Sequence, residues 1–328
     1  MKNMRKIGMT ALAASLVSTS AFAGAVTVSG GASIVYGNYS GVSLNSASSW
    51  SMGNQLNFTG TGTLENGLNV TLAMEIDQTK APASNSPFEA QSLTIARDDL
   101  GTLVFYGADA SSSGSSVSGT AAGNIWDNFD GTIPGSVAGA KRLNGGGGDN
   151  SFLYTSPSFS GFSVNGSWTP HEAEAGVTGY GAKFTGVDGL SVAVARQDVD
   201  NLGTTADGDA TSIKASYAFG PLTVSASDHD YKTGTGAASG VASGANVAQK
   251  VRSYNIAYTI SENLSVNVGI EEIDAPVGEN AEYQNIGASY TMGGMTLSAQ
   301  MQEAENINYS TSATADQEYF TTSISFAF

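Results

Sequence analysis

Apolar residues in this chain recur at every second position, segment after segment, and that period admits a pleated strand with one oily face and little else. Leu68, Val70, Leu72, Met74 and Ile76 alternate with Asn69, Thr71, Ala73, Glu75 and Asp77. The same alternation returns at Leu190, Val192 and Val194, at Leu222, Val224 and Ala226, from Leu264 to Ile270, and from Met295 to Met301. From Tyr319 to Phe328, the side chains of Phe320, Ile324, Phe326 and Phe328 fall on one side. Tyr319, Thr321, Ser323, Ser325 and Ala327 fall on the other. Gly, Ser, Thr and Asn are abundant, charged residues are 13% and prolines number only 7, a composition that favours strands and turns over helices.

A soluble β-sandwich would alternate in the same way, so the connections carry the decision. They alternate between short and long. The short ones, at 64–67, 99–101, 157–161, 185–189, 219–221, 261–263 and 292–294, hold the Gly, Asn and Pro residues that tight turns need. The long ones, near 39–50, 78–90, 109–149, 169–177, 199–209, 231–249, 274–282 and 304–317, are polar. Seven turns and eight loops join sixteen strands. An even strand number with one rim of turns and one of loops predicts an all-β fold, a 16-stranded antiparallel transmembrane β-barrel. A barrel of that size has a lumen too wide for its own side chains to fill. Hydrocarbon enforces closure, because an open sheet edge there would leave backbone groups unpaired.

Residues 1–23 have the form of a cleaved secretory signal: Lys2, Arg5 and Lys6, an apolar stretch from Ile7 to Val17, and the exit Ala21-Phe22-Ala23. Its removal leaves 10 basic residues against 29 acidic ones, a net charge of −19, which argues against nucleic acid as a partner. No later segment is apolar for long enough to form a membrane-spanning helix, so a helical inner-membrane protein is excluded. The absence of cysteine excludes disulfides, thiolate metal sites and cysteine nucleophiles. Both histidines, His171 and His229, lie in or beside loops, and no nucleophile elbow, HExxH or phosphate-binding glycine loop occurs. The chain is therefore expected not to be an enzyme and to require no cofactor.

One loop stands apart, at 109–149, about forty residues without a clear period. It opens on a Ser/Gly run, carries Ile125-Trp126-Asp127-Asn128-Phe129-Asp130-Gly131 in its middle, then Lys141 and Arg142, and closes on Gly145 to Gly148. Loops this long are functional or disordered. We read it as folded into the barrel, with Asp109, Trp126, Asp127, Phe129, Asp130, Lys141 and Arg142 at the constriction. A solvated surface loop with incidental aromatics is the alternative.

Two passages resemble a known family. Asn54 to Asp77 (NQLNFTGTGTLENGLNVTLAMEID) resembles the second hairpin of the general porins of Gram-negative bacteria, with its E-N-G-L turn and an apolar strand ending in an acid. Asn150 to Trp168 resembles the hairpin after their constriction loop, through Asn150, Tyr154, Ser156, Pro157, Phe159, Gly161 and Phe162. With the aromatic Phe328 on the apolar face, the likeness spans residues 24–328 and is greatest to the sixteen-stranded trimeric porins of α-proteobacteria, of Rhodobacter type. The resemblance implies a water-filled channel in the outer membrane for passive diffusion of small hydrophilic solutes and ions. It also implies a homotrimer in contact with outer-membrane lipid and lipopolysaccharide, assembled by the barrel-assembly machinery through its C-terminal strand. Asn54 departs from the pattern, standing where many members carry a basic lumen residue. The loop lacks the Pro-Glu-Phe-Gly-Gly tip of enterobacterial porins, so only its location and role carry over.

Strand parity assigns Glu75, Asp77, Lys183, Lys214, Glu271 and His229 to the face opposite the apolar set, hence to the pore wall or rim. Lys183 and Lys214 are the candidates for a basic wall facing Asp109, Asp127 and Asp130; hydrated lumen charges without that role are the alternative. Arg196 and Arg252 fall on the apolar parity and are placed near a rim, since a charge at the lipid midplane costs ~2–4 kcal/mol. Near the strand tops, Asp198 with Asp200, Asp207 with Asp209 and Asp228 with Asp230 share strand faces, a geometry suited to calcium or magnesium; a merely solvated acidic rim is the alternative. The acidic balance predicts a modest preference for cations. A secreted or surface-anchored Gly/Ser-rich adhesin shares the leader and the acidity, but it would show a fixed short repeat, and none is present.

Overall fold

The computed structural model describes residues 26–40, 48–77, 88–129, 149–170, 176–200, 208–233, 249–274, 278–312 and 315–328. The leader expected at 1–23, Asp130, Lys141, Arg142, His171, Asp207 and the side chain of Asp200 lie outside them. The strands are β1 (Val26–Ser40), β2 (Ser48–Thr63), β3 (Asn69–Asp77), β4 (Ala90–Arg97), β5 (Gly101–Ala108), β6 (Ser151–Thr155), β7 (Phe162–Thr169) and β8 (Gly176–Phe184). They continue as β9 (Leu190–Asp200), β10 (Gly208–Phe219), β11 (Leu222–Thr233), β12 (Gln249–Ser261), β13 (Leu264–Ile273), β14 (Ala281–Met292), β15 (Met295–Glu305) and β16 (Gln317–Ala327). Each pairs antiparallel with its sequence neighbours, and β1 pairs with β16, so the sheet closes into a barrel of sixteen strands. Alternating turns and loops had predicted this count.

At the closing seam Gly31, Ile34 and Asn38 face Ala327, Ile324 and Phe320. It runs to the last residue: Gly30 N–H donates to the Phe328 carbonyl at 2.8 Å, and Phe328 N–H donates back to Gly30 at 3.0 Å. Tight turns at this same rim rely on glycine where the backbone enters the left-handed region. Gly101 (φ 83°) and Gly189 (φ 73°) lie so close to the carbonyls of Thr155 and Ala218 that no Cβ fits.

Register turns the alternation of single strands into a continuous belt. Val224, Ile256, Val268, Ile286, Met301 and Phe320 stand opposite one another across β11 to β16, all on the exposed outer face. Farther round the wall, Phe152 lies 5.0 Å from Phe105 and stacks on Trp168 at 6.3 Å, and Phe162 meets Phe184 at 4.4 Å. Such ring pairs contribute ~0.5–1.5 kcal/mol each beyond the area they cover. Asn54 lies on this outer face, between Met52 and Leu56 and opposite Ala32. The expectation that it replaces a basic lumen residue is thereby corrected, because even-numbered residues of β2 point outward.

Charges take over the outer face where the strands approach the long loops. Arg196 pairs with Asp198 at 2.9 Å and Asp209 at 3.2 Å; Lys250 meets Asp228 at 3.1 Å. Arg252 reaches Glu272 at 3.3 Å and Asp274 at 2.7 Å. Arg196 and Arg252 thus sit at the rim where parity placed them. For Asp198, Asp209 and Asp228 the close partner is a protein cation rather than the carboxylate two residues away; Asp230 shares their outward parity.

At the short-turn rim Arg97 Nε and Nη2 donate to both oxygens of Asp99, at 2.5 and 3.1 Å. The hydrogen bond from Arg97 holds the Asp99 carboxyl below the usual carboxylate range. A depressed carboxylate pKa stabilises the fold above the unfolded value near pH 4 and is lost as pH falls through the folded one. Because Asp99 is fully exposed, Asp99→Asn is expected to leave thermal stability at neutral pH nearly unchanged, and a melting curve checks this.

Candidate pore and its inner loop

Residues facing away from the belt line the inside of the barrel, and they are not uniformly polar. Two apolar patches interrupt the wall. Ala193, Ala195 and Ala210 form one on β9 and β10; Val251, Ile273, Ala281, Tyr283 and Ala304 form the other on β12 to β15. Each is covered by the segment that follows β5. Its first helical turn, Ser113–Ser116, places Val117 on the smaller patch. A second turn, Ile125–Phe129, buries Ile125, Trp126 and Phe129 on the larger one, together with Tyr39, Tyr309 and Tyr319. Phe129 is fully buried, its ring edge-on to Tyr39 at 6.4 Å. Residues 110–129 therefore run along the inside of the wall, from β7 round to the β16–β1 seam.

Two inward glycines let the segment come this close. A Cβ at Gly179 of β8 would collide with Ser113, and one at Gly269 of β13 would lie 2.7 Å from the Ala122 Cβ. Between the apolar patches the attachment is polar. Ser113 N–H donates to Ser167 Oγ at 3.0 Å. The N–H groups of Ala121 and Ala122 donate to Ser227 Oγ at 3.0 Å and Ser253 Oγ at 2.8 Å. Lys214 Nζ donates to the carbonyls of Gly119 and Thr120 at 3.3 and 3.2 Å. Glu271 Oε2 accepts from Thr120 Oγ1 at 2.8 Å and from Ile125 N–H at 3.2 Å. At the far end Tyr39 Oη donates to the Asn128 carbonyl at 2.5 Å, and Asn128 Nδ2 donates to Gln302 Oε1 at 2.9 Å.

The residues read from sequence as pore lining divide accordingly. Glu75, Asp77 and Lys183 face inward, Lys183 exposed. Asp109 (φ 49°) and Asp127 are exposed on the inner segment. Glu271, only 2% exposed, is covered by the segment rather than open to the passage, and Lys214 is turned onto loop carbonyls; parity had placed both as open wall charges. Trp126 and Phe129 likewise pack against the wall. His229 is completely buried between Ser212 and Ser227, its ring nitrogens 2.8 and 3.2 Å from their hydroxyls. Sequence reasoning missed Ser227, Ser253 and Glu89. The carboxylate of Glu89 joins those of Glu75 and Asp77, one oxygen from each lying within 4.8 Å of the others.

A closed barrel that is apolar outside, largely polar within and traversed on its inner wall by a segment of its own chain is a transmembrane channel. The sequence matches the Gram-negative porin family over residues 8–256, and the chain belongs to that family. Among solved structures it is similar to a porin refined at 1.8 Å resolution, with TM-score 0.69 and 17% identity over 93% of this chain and all of the other. An anion-selective porin from Comamonas acidovorans matches with TM-score 0.69 and 16% identity, over 93% of this chain and 99% of that one. A variant of the Rh. blastica porin matches with TM-score 0.61 and 18% identity, over 93% and 100% of the two chains. No curated protein matches the sequence. The protein is an outer-membrane β-barrel channel for passive diffusion and not an enzyme.

Proposed function

We propose that the loop after β5, described over residues 109–129, narrows the lumen, so that the channel passes small hydrophilic solutes and prefers cations. One observation carries the reading: the segment 110–129 is hydrogen-bonded along the inner wall to side chains of β7, β10 to β13, β15 and β1. Among the described residues Lys183 and Lys214 are the bases on the inward face, and Lys214 is turned to the wall side of the loop. Against them stand Glu75, Asp77 and Glu89 with Asp109 and Asp127, an acidic excess that concentrates cations. Planar-bilayer recording of the purified protein tests this. Stepwise currents are expected, with a zero-current potential across a KCl gradient of the sign set by cation permeability; a potential set by chloride overturns the preference.

The same reading includes a homotrimer joined through the β16–β1–β2 face. Thr322 and Asn54 point outward there beside Gly30 and Ala32, and polar groups on flat, small-residue backbone suit another protein surface better than lipid. Ala32→Trp is expected to lower the temperature at which oligomers dissociate on semi-native gels while leaving strand content by circular dichroism intact.

Calcium or magnesium at the rim would have to displace a protein cation from Asp198, Asp209 or Asp228. Chelation is accordingly expected to leave the melting temperature unchanged; a fall would favour calcium or magnesium at the rim.

A further inference from the structure

The contacts of Gly119 to Ile125 form a fastening with a charged group at each side. Lys214 grips two loop carbonyls from β10, and Glu271 grips a hydroxyl and an N–H from β13. Lys214, Ser227, Ser253 and Glu271 are direct cross-strand neighbours, so one row running round the inner wall supplies the whole fastening. The loop is shaped to meet it. Thr120 N–H donates to Asn124 Oδ1 and Asn124 N–H donates to Thr120 Oγ1, both at 2.8 Å, a reciprocal pair that presents the Thr120 hydroxyl to Glu271. Behind the row, the buried His229 links Ser212 to Ser227 and so fixes the hydroxyl that receives Ala121.

We propose that Glu271 and Lys214 are positioning residues that set the bore of the channel by holding residues 119–125 against the wall, and that neither acts as a selectivity charge. The proposal rests on the reading of this loop as the constriction. Its physical basis is that these groups are covered by the loop, so removing either partner leaves buried loop N–H, hydroxyl or carbonyl groups without the bond that holds them to the wall. The apolar patches on either side fix the two helical turns, and the row between them fixes the span that joins them.

Lys183 supplies the discriminating control. It lies in the same inward row as Lys214, across Ala193, and is exposed. Lys183→Met and Lys214→Met remove the same charge from neighbouring places, but only the second removes a hold on the loop. The experiment compares wild type, K183M, K214M, E271A and E271Q by single-channel conductance and by the largest sugar admitted in a liposome-swelling assay. Heat-modifiable gel mobility verifies a closed barrel for each. We expect K214M and E271A to raise conductance by about 2-fold and admit larger sugars as the loop leaves the wall. E271Q, which keeps a carbonyl acceptor, should stay close to wild type in sugar cut-off, and K183M should shift only the zero-current potential. The proposal is overturned if K214M matches K183M in all readouts, or if E271A keeps the wild-type sugar limit. A wild-type protein that conducts no current would instead refute the pore reading itself.

Discussion

Val268→Arg should cost the barrel ~2–4 kcal/mol, the largest single-residue effect we expect on the outer wall. Val268 sits mid-belt on β13, half exposed, with Ile256 and Ile286 directly opposite on either side. An arginine there has no rim within easy reach and no acidic neighbour in its row, so it must draw water into the hydrocarbon or distort the strand. The loss corresponds to between about one and three orders of magnitude in the folding equilibrium. Urea titration of folding into vesicles measures it. Asn267→Arg, one residue earlier, points the same charge into the lumen, where Asn267 Nδ2 now meets Asn255 Oδ1 at 3.3 Å. That variant should fold nearly as well as wild type and move the zero-current potential toward anions. Equal stability losses in the two would refute the assignment of inside and outside.

Gly269→Leu should change the channel more than any substitution of an open lumen charge. The glycine lies on the inward face of β13 beneath the loop, and any side chain meets Asn285 Oδ1 at 2.6 Å and Ala122 Cβ at 2.7 Å before its γ-carbon is placed. The Asn285 Oδ1 is a side-chain tip that can rotate aside, whereas the Ala122 Cβ and Cα move only with the loop backbone, so the loop must give. Forcing extra carbon into such a contact costs ~1–3 kcal/mol, and here the relief is displacement of Ala122 and of the N–H it gives Ser253. We expect a barrel with normal strand content, altered conductance and increased current noise. Gly166→Ala, in an inward-outward alternation on β7 where the nearest atom to a Cβ is 3.8 Å away, should leave conductance unchanged. Wild-type currents from the Gly269 variant would mean that the loop does not rest on β13.

The barrel was legible in the sequence because the signal is redundant. Sixteen strands repeat one rule, oily residues at every second position, and each turn reports its own dihedral need through Gly, Asn or Pro. Parity also gives the facing of Arg196 and Arg252 outward and of Lys183 inward, since facing depends only on counting along a strand. The roles of Glu271 and Lys214 were not legible by the same means. Parity tells which way a side chain points but not that a segment 95 to 151 residues upstream will arrive to cover it. A hint was available in the exceptions. Val251, Ile273, Ala281, Tyr283 and Ala304 put apolar groups on the polar parity at the tops of four consecutive strands, which only a covering element explains. Trp126 and Phe129, noted as aromatics of the loop, are the partners those exceptions required. The outer rim shows the same limit of counting along one strand: adjacent aspartates share a face, but only the register brings Arg196 to Asp209 and Lys250 to Asp228 from the neighbouring strands.

The hydrogen bonds between β1 and β16 also set a schedule for assembly. Gly31 and Ala327 are about 300 positions apart, so the contact that completes the sheet is among the most distant in sequence that this chain makes. Every other strand can meet its partner as a hairpin or across a single loop, while the seam must wait for the last segment to emerge and travel back to the first. Until then two ladders of unpaired amides face each other. Closure of the cylinder is therefore the step expected to be slowest, because it brings together the two most widely separated strands.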